Sequence, residues 1–344
     1  MINAIQIGVK RALTQWQISV LVYAVNLVFA LGLAIAFKGV LADEFALRDV
    51  SSRLVEGFDF TFLSDLNYAS ASISSLFKMF NWLLVGYGVM SIFLSGGMIA
   101  ALKRQAFSLP DFFADSVRYF GRFITLAVFF ALTMFVPLIA FAIFSAIGNA
   151  QSESAHSEVP AVLWALAGIE IAAIKLAFFY LIFDVAKFEV VSEAMKPFQA
   201  FVSAFKIVLK NFIALFGIVL FFLLCVGVIG FVLHVLAPKG ETGAGVFALV
   251  LMQQVLVASR VFFRVATVGG LLEKYQEYKA ILNEKKLAEA HRHEAQSAAV
   301  MSNDSEIKPL ESASAQTEPM QPDAETPAAH QDTETAQKPE EQQP

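Results

Sequence analysis

The chain has 344 residues, of which 57% are apolar, 34 are phenylalanine and only 16% are charged. A soluble domain averages about 45–50% apolar and about 25% charged residues, so a water-soluble globule is excluded. The net charge of −5 divides unevenly: residues 301–344 carry ten acids against Lys308 and Lys338, a balance of −8, which leaves the first 300 residues at +3. A mildly basic body suits a protein with one side facing anionic head groups. With one cysteine, Cys225, no disulfide framework forms within the chain, and its place in an apolar run makes it a small filler.

Residues 1–15 have Ile2, Ile5, Val9, Leu13 and Trp16 at helical spacing, with Asn3, Gln6, Lys10 and Thr14 turned elsewhere. A first apolar run follows at about 16–37. It is longer than the 7–15 residues of a secretory-signal core, so it is expected to be retained as a span despite Lys10, Arg11 and the Ala34-Ile35-Ala36 triplet. Residues 38–79 form the longest loop. Within it Leu41 to Leu54 and Ser70 to Phe80 predict short amphipathic helices, and Phe58, Phe60 and Phe62 suit the membrane interface.

The second run, about 81–101, contains Gly86, Gly88, Ser91, Ser95, Gly96 and Gly97, small residues that let helix backbones approach closely in lipid. Ser108-Leu109-Pro110-Asp111 is a helix-start signal. It opens an amphipathic stretch with Phe113, Val117 and Phe120 as its stripe, which feeds a third run at about 123–147, kinked at Pro137. Residues 149–159 are expected to form a polar turn and about 160–183 a fourth span. Asp184 to Glu189 should then lead into a surface helix from Pro197, with Phe198, Phe201, Val202, Phe205, Val208 and Leu209 as its apolar side. The fifth and sixth spans fall at about 211–236 and 244–268.

Trp16-Gln17-Ile18, Arg122-Phe123-Ile124 and Asn211-Phe212-Ile213 mark equivalent points, each after a surface helix and at the start of a span. The expected fold is therefore an all-α integral membrane protein. Six transmembrane helices form three hairpins over residues 1–270, each hairpin preceded by a cytoplasmic amphipathic helix. After Gly269-Gly270, residues 271–295 predict a charged cytoplasmic helix, and 296–344 an acidic tail too poor in apolar residues to fold. Lys and Arg cluster near residues 10–11, 103–122, 187–210 and 274–286. That bias predicts both termini and 184–210 in the cytoplasm, with 38–79 and 149–159 outside.

No phosphate-binding glycine loop, metal-ligand spacing or nucleophile motif is present, so neither an enzyme nor a cofactor is expected. His291-Arg292-His293 reads as polar surface. The basic residues flank spans and form no nucleic-acid patch. The candidate site is intramembrane charge: Glu170 and Lys175 in the fourth span, Arg260 and Arg264 in the sixth, with Gln253 and Gln254 nearby. Each charge costs about 2.5–3.5 kcal/mol near a bilayer centre. At 1.5 Å per residue, Glu170 and Arg260 fall about 9 Å apart along the normal, close enough to expect partnership through leaning side chains. Together Glu170, Lys175, Gln254, Arg260 and Arg264 would form a basic pocket for an anionic lipid head group or solute. The alternative is that Arg264 and Lys175 snorkel to the cytoplasmic head groups and Glu170 hydrogen-bonds inside the bundle.

Three pieces resemble a family of uncharacterised bacterial six-span inner-membrane proteins. They are Gly57-Phe58-Asp59-Phe60…Ser64-Asp65-Leu66, Tyr180…Asp184-Val185-Ala186-Lys187 and Arg260…Arg264…Gly269-Gly270. The family's second piece usually reads Asp-Tyr-Ala-Arg, where this chain has Asp-Val-Ala-Lys. The resemblance spans about residues 1–280 and implies six spans in a bacterial inner membrane, and no activity. Two competing roles follow, the first preferred and the second its alternative. One is a non-enzymatic scaffold or accessory protein that offers its C-terminal helix and tail to a cytoplasmic partner. The other is a transporter or lipid-handling protein that uses the charged cluster, with membrane lipids, anionic ones included, as partners.

Overall fold

The computed structural model describes residues 1–45, 70–238 and 243–306, of which 94% are helical, with no strand among them. Eight helices follow in order: α1 (Ile2–Thr14), α2 (Trp16–Phe45), α3 (Ser70–Arg104), α4 (Leu109–Thr133), α5 (Phe135–Ala155), α6 (Val159–Ser192), α7 (Pro197–Leu236) and α8 (Gly243–Glu306). Six stretches are long and apolar enough to cross a membrane: Trp16–Gly39, Lys78–Arg104, Leu109–Ala155, Val159–Ser192, Pro197–Leu236 and Ala244–Glu294. The outside of these helices carries large apolar side chains, among them Trp82, Ile213, Phe231 and Val235, at 65–86% exposure. A surface of that kind marks a multi-pass membrane protein. The chain divides into two compact units, Met1–Asn283 and Glu284–Pro344. In the second, the described side chains of residues 284–294 lie on an exposed helix. The Phe58 to Leu66 stretch and residues 307–344 lie outside the described residues.

Several expected boundaries move. The break in the third span sits at Met134, between α4 and α5, and not at Pro137. A proline ring clashes with the carbonyl four residues earlier, here Thr133, which is where α4 ends. The polar stretch 149–159 is mostly helix: α5 runs to Ala155, and the turn is confined to three residues, with His156 left-handed at φ 50°. Gly269-Gly270 is no boundary either, because α8 runs continuously through it and on to Glu306, past the expected onset of disorder at 296.

The largest change concerns α6. Hydropathy ends the fourth span at Phe183 and leaves 184–189 as a connection, yet Leu181 to Val191 are all buried, and α6 continues to Ser192. This stretch is the centre of the first unit's core. Within α7 the helix is broken at Asn211 (φ −121°, ψ 20°), where the fifth span was expected to begin, and the Asn211 side-chain amide donates to the Ile207 carbonyl at 3.1 Å. A similar break at Gln15 (φ −111°, ψ 42°) separates α1 from α2.

The opening segments turn mostly small residues inward. In α1 the buried residues are Ala4, Gly8, Arg11 and Ala12, while Ile2, Leu13 and Trp16 are exposed. In α7 Ala200, Ala204, Ile207 and Val208 are buried, while Phe198, Val202, Phe205 and Leu209 are exposed. In α4 Phe112 and Ser116 turn inward, while Phe113 and Val117 turn outward. The bulky stripes that a water-based reading assigns to the core point away from it. Where lipid is as apolar as a core, close backbone approach decides which face turns inward, and small residues permit it.

One such approach joins α1 to α8. A Cβ on Gly8 would fall 2.9 Å from the Gly270 backbone nitrogen, and one on Gly270 would fall 3.0 Å from the Ala4 carbonyl oxygen. Neither backbone can step aside without moving its helix. Gly8→Ala is therefore expected to cost about 1–3 kcal/mol, as overpacking in a dense core does. Thermal unfolding of the purified protein in detergent measures this, and Gly88→Ala, which meets nothing within 4 Å, should leave the midpoint unchanged.

Candidate functional site

Tyr180, Asp184 and Lys187 lie at i, i+4 and i+7 on α6, and so share one face. Arg260 and Arg264 share a face of α8 in the same way. The two faces meet at Asp184. Arg264 donates from both terminal nitrogens, Nη1 to Oδ2 at 2.9 Å and Nη2 to Oδ1 at 3.0 Å, a fork matched to a carboxylate. Lys187 Nζ adds a third bond to Oδ1 at 3.2 Å. Aromatic faces complete the shell: the Arg264 guanidinium lies 5.0 Å from the Tyr180 ring centre, and Lys187 Nζ lies 4.0 Å from that of Phe183. Asp184 is 2% exposed and Lys187 6%.

Further buried charges follow along the same helices. Glu189, with no exposed surface, accepts from Lys279 of α8 at 3.0 Å and from the Ser203 hydroxyl of α7 at 2.9 Å. Arg11 of α1 pairs with Glu273 of α8 and donates to the Gly269 carbonyl at 3.3 Å. Charges from α1, α6 and α8 are thus matched one to one at these contacts.

Beside the Asp184 cluster lies a cavity of about 620 Å³ among α2, α3, α6, α7 and α8. Its polar lining includes Asn26, Tyr87, Ser91 and Ser95, and its cations are Lys187, Arg260 and Arg264. Among the described residues no acid lines it, and the adjacent Asp184 is already engaged by Arg264 and Lys187. Arg260 is exposed to this space and makes no ion pair or hydrogen bond among the described residues. Three cations and one carboxylate leave a surplus of two positive charges in a largely apolar enclosure. Such a place favours an anion, because coulombic attraction is weakly screened there.

The structure gathers only some of the residues expected to act together. Arg260 and Arg264 line the cavity. Gln254 accepts a hydrogen bond from the Tyr23 hydroxyl at 2.7 Å, tying α8 to α2. Lys175 lines a separate cavity, with Lys210. Glu170 is exposed on α6, lines neither cavity and makes no ion pair or hydrogen bond among the described residues, so its partnership with Arg260 is not formed. The reason is register. The Asp184–Arg264 and Glu189–Lys279 contacts align α6 and α8 in the same direction, which puts Arg260 level with about residue 180. Ten residues of helix, about 15 Å, then separate it from Glu170, too far for leaning side chains to bridge. The snorkelling alternative fails for Arg264, whose charge is met inside the protein.

Asp184 and Lys187 were missed as site residues because they follow the point at which the hydropathy window closes. One signal was available. Val185, Ala186, Phe188, Val190 and Val191 extend the apolar run past Phe183, so Asp184, Lys187 and Glu189 are isolated charges in a buried helix and not a polar connection.

No family model matches the chain, and neither a curated protein nor a solved structure is significantly similar to it.

The geometry separates two carboxylates that look alike in sequence. Asp184→Asn leaves Arg264 and Lys187 without their counter-charge and should cost about 3–5 kcal/mol, visible as lost folded yield or a lowered unfolding temperature. Glu170→Gln should leave both within error of the parent protein. The opposite ranking would contradict the register described above.

Proposed function

We propose that this protein binds an anionic head group or small anion in the cavity beside Asp184, with Arg260 as the residue that meets the ligand. The observation that carries the reading is the unpaired Arg260 guanidinium in a cavity whose adjacent carboxylate is already taken. Arg264 and Lys187 contribute field and hold the wall; Arg260 contributes free donors, suited to a phosphate or carboxylate. The cost of keeping an unpaired arginine among apolar helices, about 2.5–3.5 kcal/mol on insertion scales, is the kind of expense associated with function. A lipid-handling or transport role follows more naturally from this than a purely structural one.

Location and orientation belong to the same proposal. A bacterial inner membrane is supported by the resemblance, and cytoplasmic termini by the distribution of Lys and Arg. The outward stripes of α1, α4 and α7 support segments that lie along the cytoplasmic face before three successive hairpins. One observation favours a second role. The exposed helix of residues 284–294, with Lys285, Lys286 and Glu289, offers an accessory surface to a cytoplasmic partner.

The test uses purified full-length protein in neutral detergent, with decyl phosphate and inorganic phosphate as probes. A ligand at a hundredfold excess over its Kd stabilises the folded state by about 2.7 kcal/mol, readable as a rise in unfolding temperature. Decyl phosphate should raise the midpoint of the parent protein. Arg260→Gln should weaken that response at least about tenfold in concentration, and Arg260→Lys should retain part of it. A response to inorganic phosphate alone would assign a solute and not a head group. An unchanged response in Arg260→Gln would overturn the proposal.

A further inference from the structure

The second cavity, of about 810 Å³, lies at the α7 kink and shares no lining residue with the first. Its walls come from Met1, from α6 (Ile174, Lys175, Phe178) and from α7 on both sides of the break at Asn211 (Leu209 to Ala214). Its charged side chains are Lys175 and Lys210, with Met1 and its terminal ammonium beside them, and no acid lines it among the described residues. Neither lysine makes an ion pair or hydrogen bond among the described residues, in contrast to the matched charges on Asp184 and Glu189.

The remaining walls are apolar and face outward. Ile213 is 86% exposed, Leu209 63% and Ile174 61%, all on helices long and apolar enough to span a membrane. Behind them Phe178 packs against Phe205 and Phe212, each with ring centres 5.7 Å away, a rigid back wall that the lysines cannot fill. The non-helical backbone at Asn211 redirects α7 at this level.

We infer that this notch is a binding site for a membrane phospholipid with an anionic head group. Lys175 and Lys210 meet the phosphate, and the outward wall of Ile174, Leu209 and Ile213 carries the first part of an acyl chain. The occupant is a lipid and not a free anion because the lysines open onto an apolar, outward-facing surface, where a soluble anion would have no route that keeps it hydrated. Lysines on stems of that length present their ammonium groups at the edge of such a surface while their methylenes cover it. Basic pockets between membrane helices that hold lipid head groups follow the same logic. The site depends on the chain being a multi-pass membrane protein and is independent of the role proposed for Arg260.

Native mass spectrometry of the full-length protein, released from neutral detergent after equilibration with dioleoyl phosphatidylglycerol or dioleoyl phosphatidylcholine, tests this. The parent protein should retain phosphatidylglycerol in preference to phosphatidylcholine. Lys175→Gln with Lys210→Gln should weaken phosphatidylglycerol retention by roughly tenfold or more and leave phosphatidylcholine unchanged. Lys175→Arg with Lys210→Arg should keep the preference, which separates loss of charge from loss of fold. Equal retention by the parent and the Gln pair would overturn the inference. So would loss of the bound lipid on adding millimolar inorganic phosphate, or its loss in Arg260→Gln with the Gln pair unaffected.

Discussion

A carboxylate with almost no solvent exposure, Asp184, is held between the fork of Arg264 and the ammonium of Lys187, and the positions of α6 and α8 follow from that contact. Charges buried among apolar helices have few places to go. Once Asp184 is within α6, the arginine that satisfies it must stand at its level, and any slip of α8 by one turn removes the fork. The asymmetry of buried pairs makes this strict: replacing both partners can be nearly neutral, but stranding one is costly. Glu189 then joins Lys279 of α8 and Ser203 of α7 to α6, and Glu273 on Arg11 sets α1 against α8. The glycine contact between α1 and α8 lets the backbones approach closely at that place.

The same register creates the surplus charge. With Arg264 used by Asp184, Arg260, one turn away, faces a cavity that contains no acid. Had Arg260 been level with Glu170, its charge would be met, the surplus would fall to one, and there would be less reason to expect an anion. The structural pair and the proposed binding residue are thus neighbours on one helix face with opposite fates, one quenched and one open. Lys175 and Lys210 repeat that contrast at the α7 kink, where two lysines line an outward-facing notch without a carboxylate.

Much of the architecture was legible in sequence because the membrane imposes it: six long apolar runs, their order, and the position of the break at Asn211 within α7. What composition could not supply was which face turns inward. Ile2 and Leu13, or Phe198 and Leu209, form the more apolar stripe, yet Ala4 and Gly8, or Ala200 and Ala204, pack inside. In water those stripes would seek the core; beside lipid, hydropathy no longer ranks faces, and side-chain size does. The candidate site was half legible for a related reason. Arg260 and Arg264 were visible as costly charges, whereas Asp184 sat one residue beyond the assigned end of its span, and Glu170 was chosen as the partner instead.

The central claim is that Asp184 and Arg264 act as one unit that sets the helix register. A double-mutant cycle of Asp184→Asn and Arg264→Gln, read from reversible unfolding in mixed micelles, measures that directly. The account predicts a coupling energy of about 2 kcal/mol or more, with the double variant more stable than the sum of the single losses implies. Losses that add to within about 0.5 kcal/mol would show that the two residues do not depend on one another, and would contradict it.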